Sequence, residues 1–399
     1  MRVAIVGGGI GGLAAALALI RRGIPVDVYE QAQELTEVGA GVQITPNGAR
    51  VLQALGLSAE IDRVGTRTRG KRIHLWNTGE TREFMQLGDA AVERYGAPYL
   101  TFHRADLHDL LRQAVVQAAP EVLHLGRKCV DLVARSDSVD IRFADGSTAT
   151  ADVVVGADGV HSPIRQQLFG ADRAEFTGCI AWRGLIPAER LPQSIDRAGG
   201  GMWLGPVAHI VTYPVRKGAL LNFIGMVDRD DWRVESWNAQ GTVEECLRDF
   251  QGWHADVRQM VEAILIPYKW ALIVRQPLER WSVGRVTLLG DACHSTLPFL
   301  SQGANMAIED AFVLARCLSQ PGASPEAALL SYERARRERT SRIVRSSAEQ
   351  VGRVHAPQLA DPATAVAHID REWERGKIDD RYDWIYGYDA IRVDLPAGD

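Results

Sequence analysis

Three glycine-bearing turns and one histidine–tyrosine pair are the places where residue type and spacing in this sequence suggest chemistry. Gly7-x-Gly9-x-x-Gly12 is the first turn. Gly7 permits a tight bend, Gly9 lets backbone approach a diphosphate, and Gly12 allows a helix to pack closely on a strand. Glu30 follows eighteen residues after Gly12; a carboxylate there accepts from a ribose 2′-hydroxyl and repels a 2′-phosphate. The second turn is Asp158-Gly159, with Ser162, Pro163 and Arg165 opening a helix behind it. Asp-Gly is also a common plain turn, so alone this segment reads either way. The third runs from Gly290-Asp291 through Pro298 to Gln302-Gly303-Ala304-Asn305. A helix N-terminus behind Gly303 aims positive potential at whatever lies above it, and a reduced, anionic flavin ring is the kind of group so stabilised. His209 and Tyr213 are four residues apart and share a face if Ala208 to Val215 is one strand. An imidazole beside a phenol can deprotonate or orient a substrate hydroxyl; a polar pair on a strand is equally readable as structural.

The flanking elements must hold these groups in place. Val3-Ala4-Ile5-Val6 reads as a strand buried on both faces, Leu13 to Arg22 as a helix closed by Gly23, and Val26 to Tyr29 as a second strand. This is a βαβ unit of dinucleotide-binding type, and by itself it does not separate FAD from NAD. Asp152 to Val155 and Arg285 to Leu289 read as strands feeding the other two turns, with an amphipathic helix over Met306 to Leu318. Segments 176–185, 201–215 and 220–227 are β-rich, with polar and apolar residues mixed as in an antiparallel sheet. Residues 325–355 read as a charged, solvated helix with intrahelical ion pairs. His103, His108, His161 and His294 match no metal-ligand spacing and read as structural or solvated. Cys293 is adjacent to His294 in the chain, which rarely lets two side chains meet, so it is not read as a nucleophile.

Composition limits the alternatives. The 399 residues carry 45 basic and 50 acidic side chains, a net charge of −5 that gives no general drive toward nucleic acid or anionic membrane. The length suits two or three domains at about 100–200 residues each. Five scattered cysteines without a CxxC pair fit a reducing compartment. The longest apolar run, Ile10 to Ile20, is eleven residues long and contains two glycines, short of the roughly 20 that span a bilayer. A cytoplasmic location is expected, with no metal site.

Taken in order, the three turns resemble the signatures of the group A flavoprotein monooxygenases, the single-component FAD-dependent aromatic hydroxylases, over most of residues 1–320. The resemblance is nearest the 3-hydroxybenzoate 6-hydroxylase, salicylate hydroxylase and 6-hydroxynicotinate 3-monooxygenase group. It implies an α/β fold: a Rossmann-like FAD-binding domain from residues 1–70, 100–172 and 280–345, an interleaved β-sheet substrate domain from 71–99 and 173–279, and a helical part over 346–399. It places Gly7, Gly9, Gly12, Glu30, Gln43, Arg104, Asp158, Gly159, Asp291, Gly303, Ala304 and Asn305 at the cofactor, and His209 and Tyr213 in the substrate pocket. It further implies that NADH or NADPH reduces FAD, and that O2 forms a C4a-hydroperoxide whose oxygen enters a small anionic hydroxy-aromatic. Gly39-Ala40-Gly41-Val42-Gln43 is similar to the 3-hydroxybenzoate type, whereas Pro298-Phe299 departs from a polar position in the group. Trp384 to Asp389 is similar to tails in the same group. A homodimer is compatible with all of this. Two other readings stay open: a flavin-dependent dehydrogenase or reductase that inserts no oxygen, and a non-catalytic nucleotide-binding protein.

Overall fold

The computed structural model describes residues 1–35, 40–171, 174–232 and 239–396, so Gly39 of the Gly39–Gln43 segment lies outside the described residues. Val3–Val6, apolar at every position, is buried at every position and forms the middle of a six-stranded sheet. Val26–Tyr29 and Leu123–His124 lie in parallel on one side of it, Val153–Gly156 and Val286–Leu288 on the other, and Ser282–Val283 closes the edge antiparallel. All three glycine turns therefore leave the same sheet edge, at the carboxyl ends of parallel strands, where open α/β sheets collect their ligands.

The helix after the first turn spans Ile10–Ile20, beginning earlier than its leucine-rich part because Gly11 and Gly12 belong to its first turn. It packs against helix Gly303–Leu318, and that helix likewise starts at its glycine rather than at Met306. A seven-stranded sheet stands over these helices, in the order Tyr268–Arg275, Ala174–Pro187, Leu220–Asp228, Ala208–Val215, Gly200–Leu204, Gly70–Leu75, Thr81–Gln86. Segment 201–215 is thus a hairpin, with Leu204 opposite His209. Strand alternation sorts its two faces. Ala208 and Ile210 join Trp182 and Phe223 in a core on the outer side, while His209, Val211 and Tyr213 face inward.

The structure corrects the reading of 325–355 as a solvated helix. Helix Pro325–Glu349 is buried along one face; Arg337 pairs with Glu333 within the helix, as expected, but Arg336 and Arg339 pair with another helix. Arg336, fully buried, donates to Glu309 at 2.6 Å and Asp310 at 2.7 Å; Arg339 reaches Glu309 at 2.8 Å. Asn47 also donates to Glu309, and His294 contacts Asp310 at 2.5 Å. Burial alone would raise both carboxyls, but the arginines, joined at Asp310 by His294, outweigh it and hold them below the usual range. His294 and the Gly290 turn are anchored to the helices here, since Gly290 N–H also donates to Asp310. Arg336→Lys keeps the charge but not the fork that spans two carboxylates. The expected cost is about 1.5–3 kcal/mol, one charge-assisted hydrogen bond, seen as a lower Tm in thermal unfolding; an unchanged Tm would show that the network is not the tie described.

Candidate active site

The first turn is built as a cradle. A Cβ on Gly7, whose φ is +112°, would lie 2.2 Å from the Ala157 carbonyl oxygen, and one on Gly12 would lie 2.0 Å from that of Gly7. A Cβ on Gly9 would meet nothing within 4 Å, so the open side of the turn faces outward. Glu30 accepts from Gly8 N–H at 2.7 Å and Ala32 N–H at 2.8 Å, which fixes its carboxylate beside the turn. His108, read from sequence as structural or solvated, is buried and holds the Gly8 carbonyl at 2.7 Å.

A cavity of about 430 Å³ runs along this cradle, lined by Gly7, Gly9, Glu30, Asp158 and Gly159 among others. Asp158 accepts from Ile164 N–H at 3.2 Å, while its other oxygen is buried and has no hydrogen-bond partner among the described residues; burial raises its carboxyl. An acceptor left unsatisfied in a cavity beside a diphosphate cradle suits a bound hydroxyl donor. Arg165 is buried and donates to Val160 and Ala292 carbonyls, so it ties the second turn to the third.

A second cavity, about 250 Å³, lies between the third turn and the inner face of the seven-stranded sheet. Its lining includes Gln43, Arg104, Asp291, Gly303 and Ala304 together with His209, Tyr213, Lys71, Arg183, Trp270 and Phe299. The sequence-predicted residues thus fall into two cavities on one sheet edge. Gly12 and Asn305 line neither: Gly12 packs inside the first turn, against the Gly7 carbonyl. The buried side chain of Asn305 donates to the Gln43 and Ser301 carbonyls and accepts from Thr45 N–H, which pins strand Gly41–Ile44 to the helix start.

Burial separates His209 from Tyr213 chemically. Tyr213 is buried beside the Gln43 side chain, which accepts from the Tyr99 hydroxyl, and desolvation pushes its phenol well above the ordinary value. It stays protonated, a donor and not a base. Desolvation, helped by the neighbouring His355 ring, pushes His209 well below the ordinary histidine value, so its imidazole is neutral and able to accept a proton. The Phe299 ring lies 5.5 Å from it. Gly41 is required by this arrangement, because a Cβ there would lie 2.5 Å from the Tyr213 ring.

Two cations in this cavity were missed from sequence. Lys71 is enclosed with its ammonium 4.9 Å from the Tyr99 ring centre; no carboxylate pairs with it among the described residues, and burial lowers it to about 8. Arg183 is buried between the Tyr268 and Trp270 rings, 5.5 and 5.3 Å from their centres. The available signal was scarcity: with five lysines among 45 basic residues, one on an inner-sheet strand is conspicuous. The C-terminal tail also contributes, since Tyr382 lines the cavity and Tyr386 packs on Tyr99.

Residues 1–347 match the FAD binding domain family. 3-Amino-4-hydroxybenzoate 2-monooxygenase PtmB3 of Streptomyces platensis is 41% identical over 392 residues, covering 98% of this chain and 97% of that protein. The chain belongs to the FAD-dependent aromatic monooxygenases. Another relative, 6-hydroxynicotinate 3-monooxygenase of Pseudomonas fluorescens, is 36% identical and covers 99% of this chain and 96% of its own. Among solved structures, a variant of Klebsiella pneumoniae HpxO complexed with FAD superposes with a TM-score of 0.85 at 27% identity, over 97% of this chain and 99% of that one. FAD is the cofactor of this monooxygenase. The glycine cradle, the unpaired Asp158 oxygen and the turn at Gly303 are the features that suit it. No helix among the described residues is long and apolar enough to cross a membrane.

Proposed function

We propose that this monooxygenase hydroxylates the ring of a small hydroxylated aromatic carboxylate, with His209 as the base that takes the ring hydroxyl's proton. The observation that carries the reading is one cavity, beside the Gly303 turn, lined by a neutral imidazole, a protonated phenol and the half-buried Lys71 ammonium. Lys71 and Arg183 supply the charge complementary to a carboxylate in a chain whose net charge is −5. Tyr213 donates to a substrate oxygen and His209 accepts from one. Removing that proton makes the ring electron-rich at the carbon to be attacked, while Trp270 and Phe299 keep water away. FAD, reduced by NADH or NADPH, supplies the electrophilic oxygen derived from O2. Gly7, Gly9, Glu30, Asp158 and Gly159 would hold its adenosine and diphosphate end, with Gly12 letting the helix close on the turn; Gln43, Arg104, Asp291, Gly303 and Ala304 would hold its ring end. On this reading segments 71–99 and 173–279 form the substrate-covering unit. The relatives' names, hydroxybenzoate and hydroxynicotinate monooxygenases, support a substrate carrying both a carboxylate and a ring hydroxyl.

The test is a screen of hydroxybenzoates, aminohydroxybenzoates and hydroxynicotinates for stimulated NAD(P)H oxidation, followed by reaction under 18O2. One labelled oxygen per product is expected. Oxidised product without label would identify a flavin dehydrogenase instead, and a protein that neither carries flavin nor bleaches with NAD(P)H would be a binding protein only.

A further inference from the structure

Beyond the cavity, His209 is coupled to the surface. Its Nδ1 lies 2.7 Å from Nε2 of His355, and His355 Nδ1 lies 2.7 Å from Oδ1 of Asp228. His209 and His355 are buried, 2% and 7% exposed, whereas the Asp228 side chain is 42% exposed. The three residues come from separate places: the strand Ala208–Val215, the end of its neighbour Leu220–Asp228, and the residue that ends helix Val351–Val354. A hydrogen-bonded line thus runs from the inner cavity to solvent.

Elimination gives its direction when both rings are neutral. A carboxylate only accepts, so His355 Nδ1 carries the proton given to Asp228. The His355 Nε2 lone pair then accepts from His209 Nδ1–H. That leaves the lone pair of His209 on Nε2, the atom with no protein partner in this line. Every proton in the line points outward, the arrangement that lets one enter at His209 and another leave at Asp228.

We propose that His209, His355 and Asp228 form a proton relay that exports the substrate hydroxyl proton to solvent and returns it when the product hydroxyl reforms. This rests on the reading of His209 as the base. In the outward step the substrate O–H breaks and an N–H forms at His209 Nε2; the His209 Nδ1 proton passes to His355 Nε2; the His355 Nδ1 proton passes to Asp228 and then to water. One proton leaves, the electron pair stays on the substrate oxygen, and both rings end neutral in the opposite tautomer. The return step resets them. The physical need is clear: burial disfavours an imidazolium at His209, so a proton taken there must move on. The groups packed around the line do not compete. Cys179 approaches both His355 and Asp228, but burial first and then Asp228 push its thiol up to about 12, so it stays neutral. Phe299 covers the His209 ring and keeps water from bypassing the line.

The test is proton release on ligand binding. FAD-loaded full-length protein is mixed at pH 6.5 with 3-hydroxybenzoate or 3-amino-4-hydroxybenzoate in weak buffer containing a pH-indicator dye. At this pH Lys71, lowered to about 8, is already charged and takes up little. The wild type is expected to release a proton, and Asp228→Asn and His355→Gln to release it at least tenfold more slowly. Asp228→Glu, which keeps the carboxylate but changes the side-chain length, should restore the rate, which a merely structural role would not allow. Release at the wild-type rate in both variants overturns the relay. His209→Gln separates the two proposals: if it releases the proton as the wild type does, the base assignment beneath the relay is wrong.

Discussion

Replacing His209 with Gln is expected to leave reduction of the bound FAD by NAD(P)H intact and to slow ring hydroxylation by about 10²–10⁴-fold, the usual range for a positioned general base. Gln has similar bulk and hydrogen-bonding capacity, so the cavity wall and the contact with Phe299 are largely kept. It lacks a nitrogen that accepts a proton and passes it on. Burial keeps His209 neutral, so its lone pair is free to accept, but it also disfavours the imidazolium, so the proton must pass on to His355. Tyr213 cannot substitute, because its buried phenol is pushed in the opposite direction and stays protonated. Tyr213→Phe should accordingly change substrate affinity more than the hydroxylation rate once substrate is bound. Single-turnover kinetics with product quantified against NAD(P)H and O2 consumed would check this. Reduction without hydroxylation is the predicted pattern in His209→Gln, with oxygen consumed unproductively. Hydroxylation at wild-type coupling would remove His209 from the chemistry.

The sequence showed the framework well and the substrate end poorly, for physical reasons. Val3–Val6 is a short run of four apolar residues that ends in three glycines, and that pattern already implies a strand covered on both faces. The turns at Gly7, Asp158 and Gly290 are local devices, so their residues are adjacent in the chain and legible there. The pocket is not local. Lys71 belongs to an edge hairpin that joins the inner sheet only through parallel pairing with Gly200–Leu204. His355 comes from the end of a short helix, 146 residues from His209. Arg336 and Arg339 looked like surface charge because carboxylates at Glu309 and Asp310 sit in another helix, within a segment that reads as amphipathic. Charge pairing across elements leaves no periodic trace, whereas strand and helix burial does. His209 and Tyr213 were legible because a strand places alternate residues on one face whatever lies opposite.

Lys71→Met is expected to weaken binding of benzoate about 10- to 100-fold, the loss of one charge-assisted hydrogen bond of about 1.5–3 kcal/mol. Benzoate isolates the effect, as it has the carboxylate and no ring hydroxyl to ionise. Met matches the aliphatic stem, so packing against Tyr99 is preserved as far as any substitution allows. The pH dependence is the sharper measurement. Burial lowers Lys71 to about 8, so its ammonium is present below that pH and lost above it. An anionic ligand binds the charged form and holds its proton in place. The dissociation constant in wild type should therefore be flat below pH 8, rise above it and level off about 10- to 100-fold higher, near the Lys71→Met value, while in Lys71→Met it stays flat throughout. Benzamide, uncharged, should bind both proteins alike. The unliganded protein should show the reverse trend in stability. Its folded-state value is below the ordinary 10.5, so between about 8 and 10.5 the unfolded chain keeps a proton that the folded chain has released. Stability from this group is then lowest below pH 8 and increases with pH across that window. Lys71→Met should remove this slope and stabilise the empty enzyme near neutral pH, because an enclosed ammonium with no carboxylate partner among the described residues is costly to the fold. Weaker ligand binding in a more stable protein separates an anion-binding lysine from one that only packs; a variant that binds benzoate as the wild type does would exclude Lys71 from the carboxylate site.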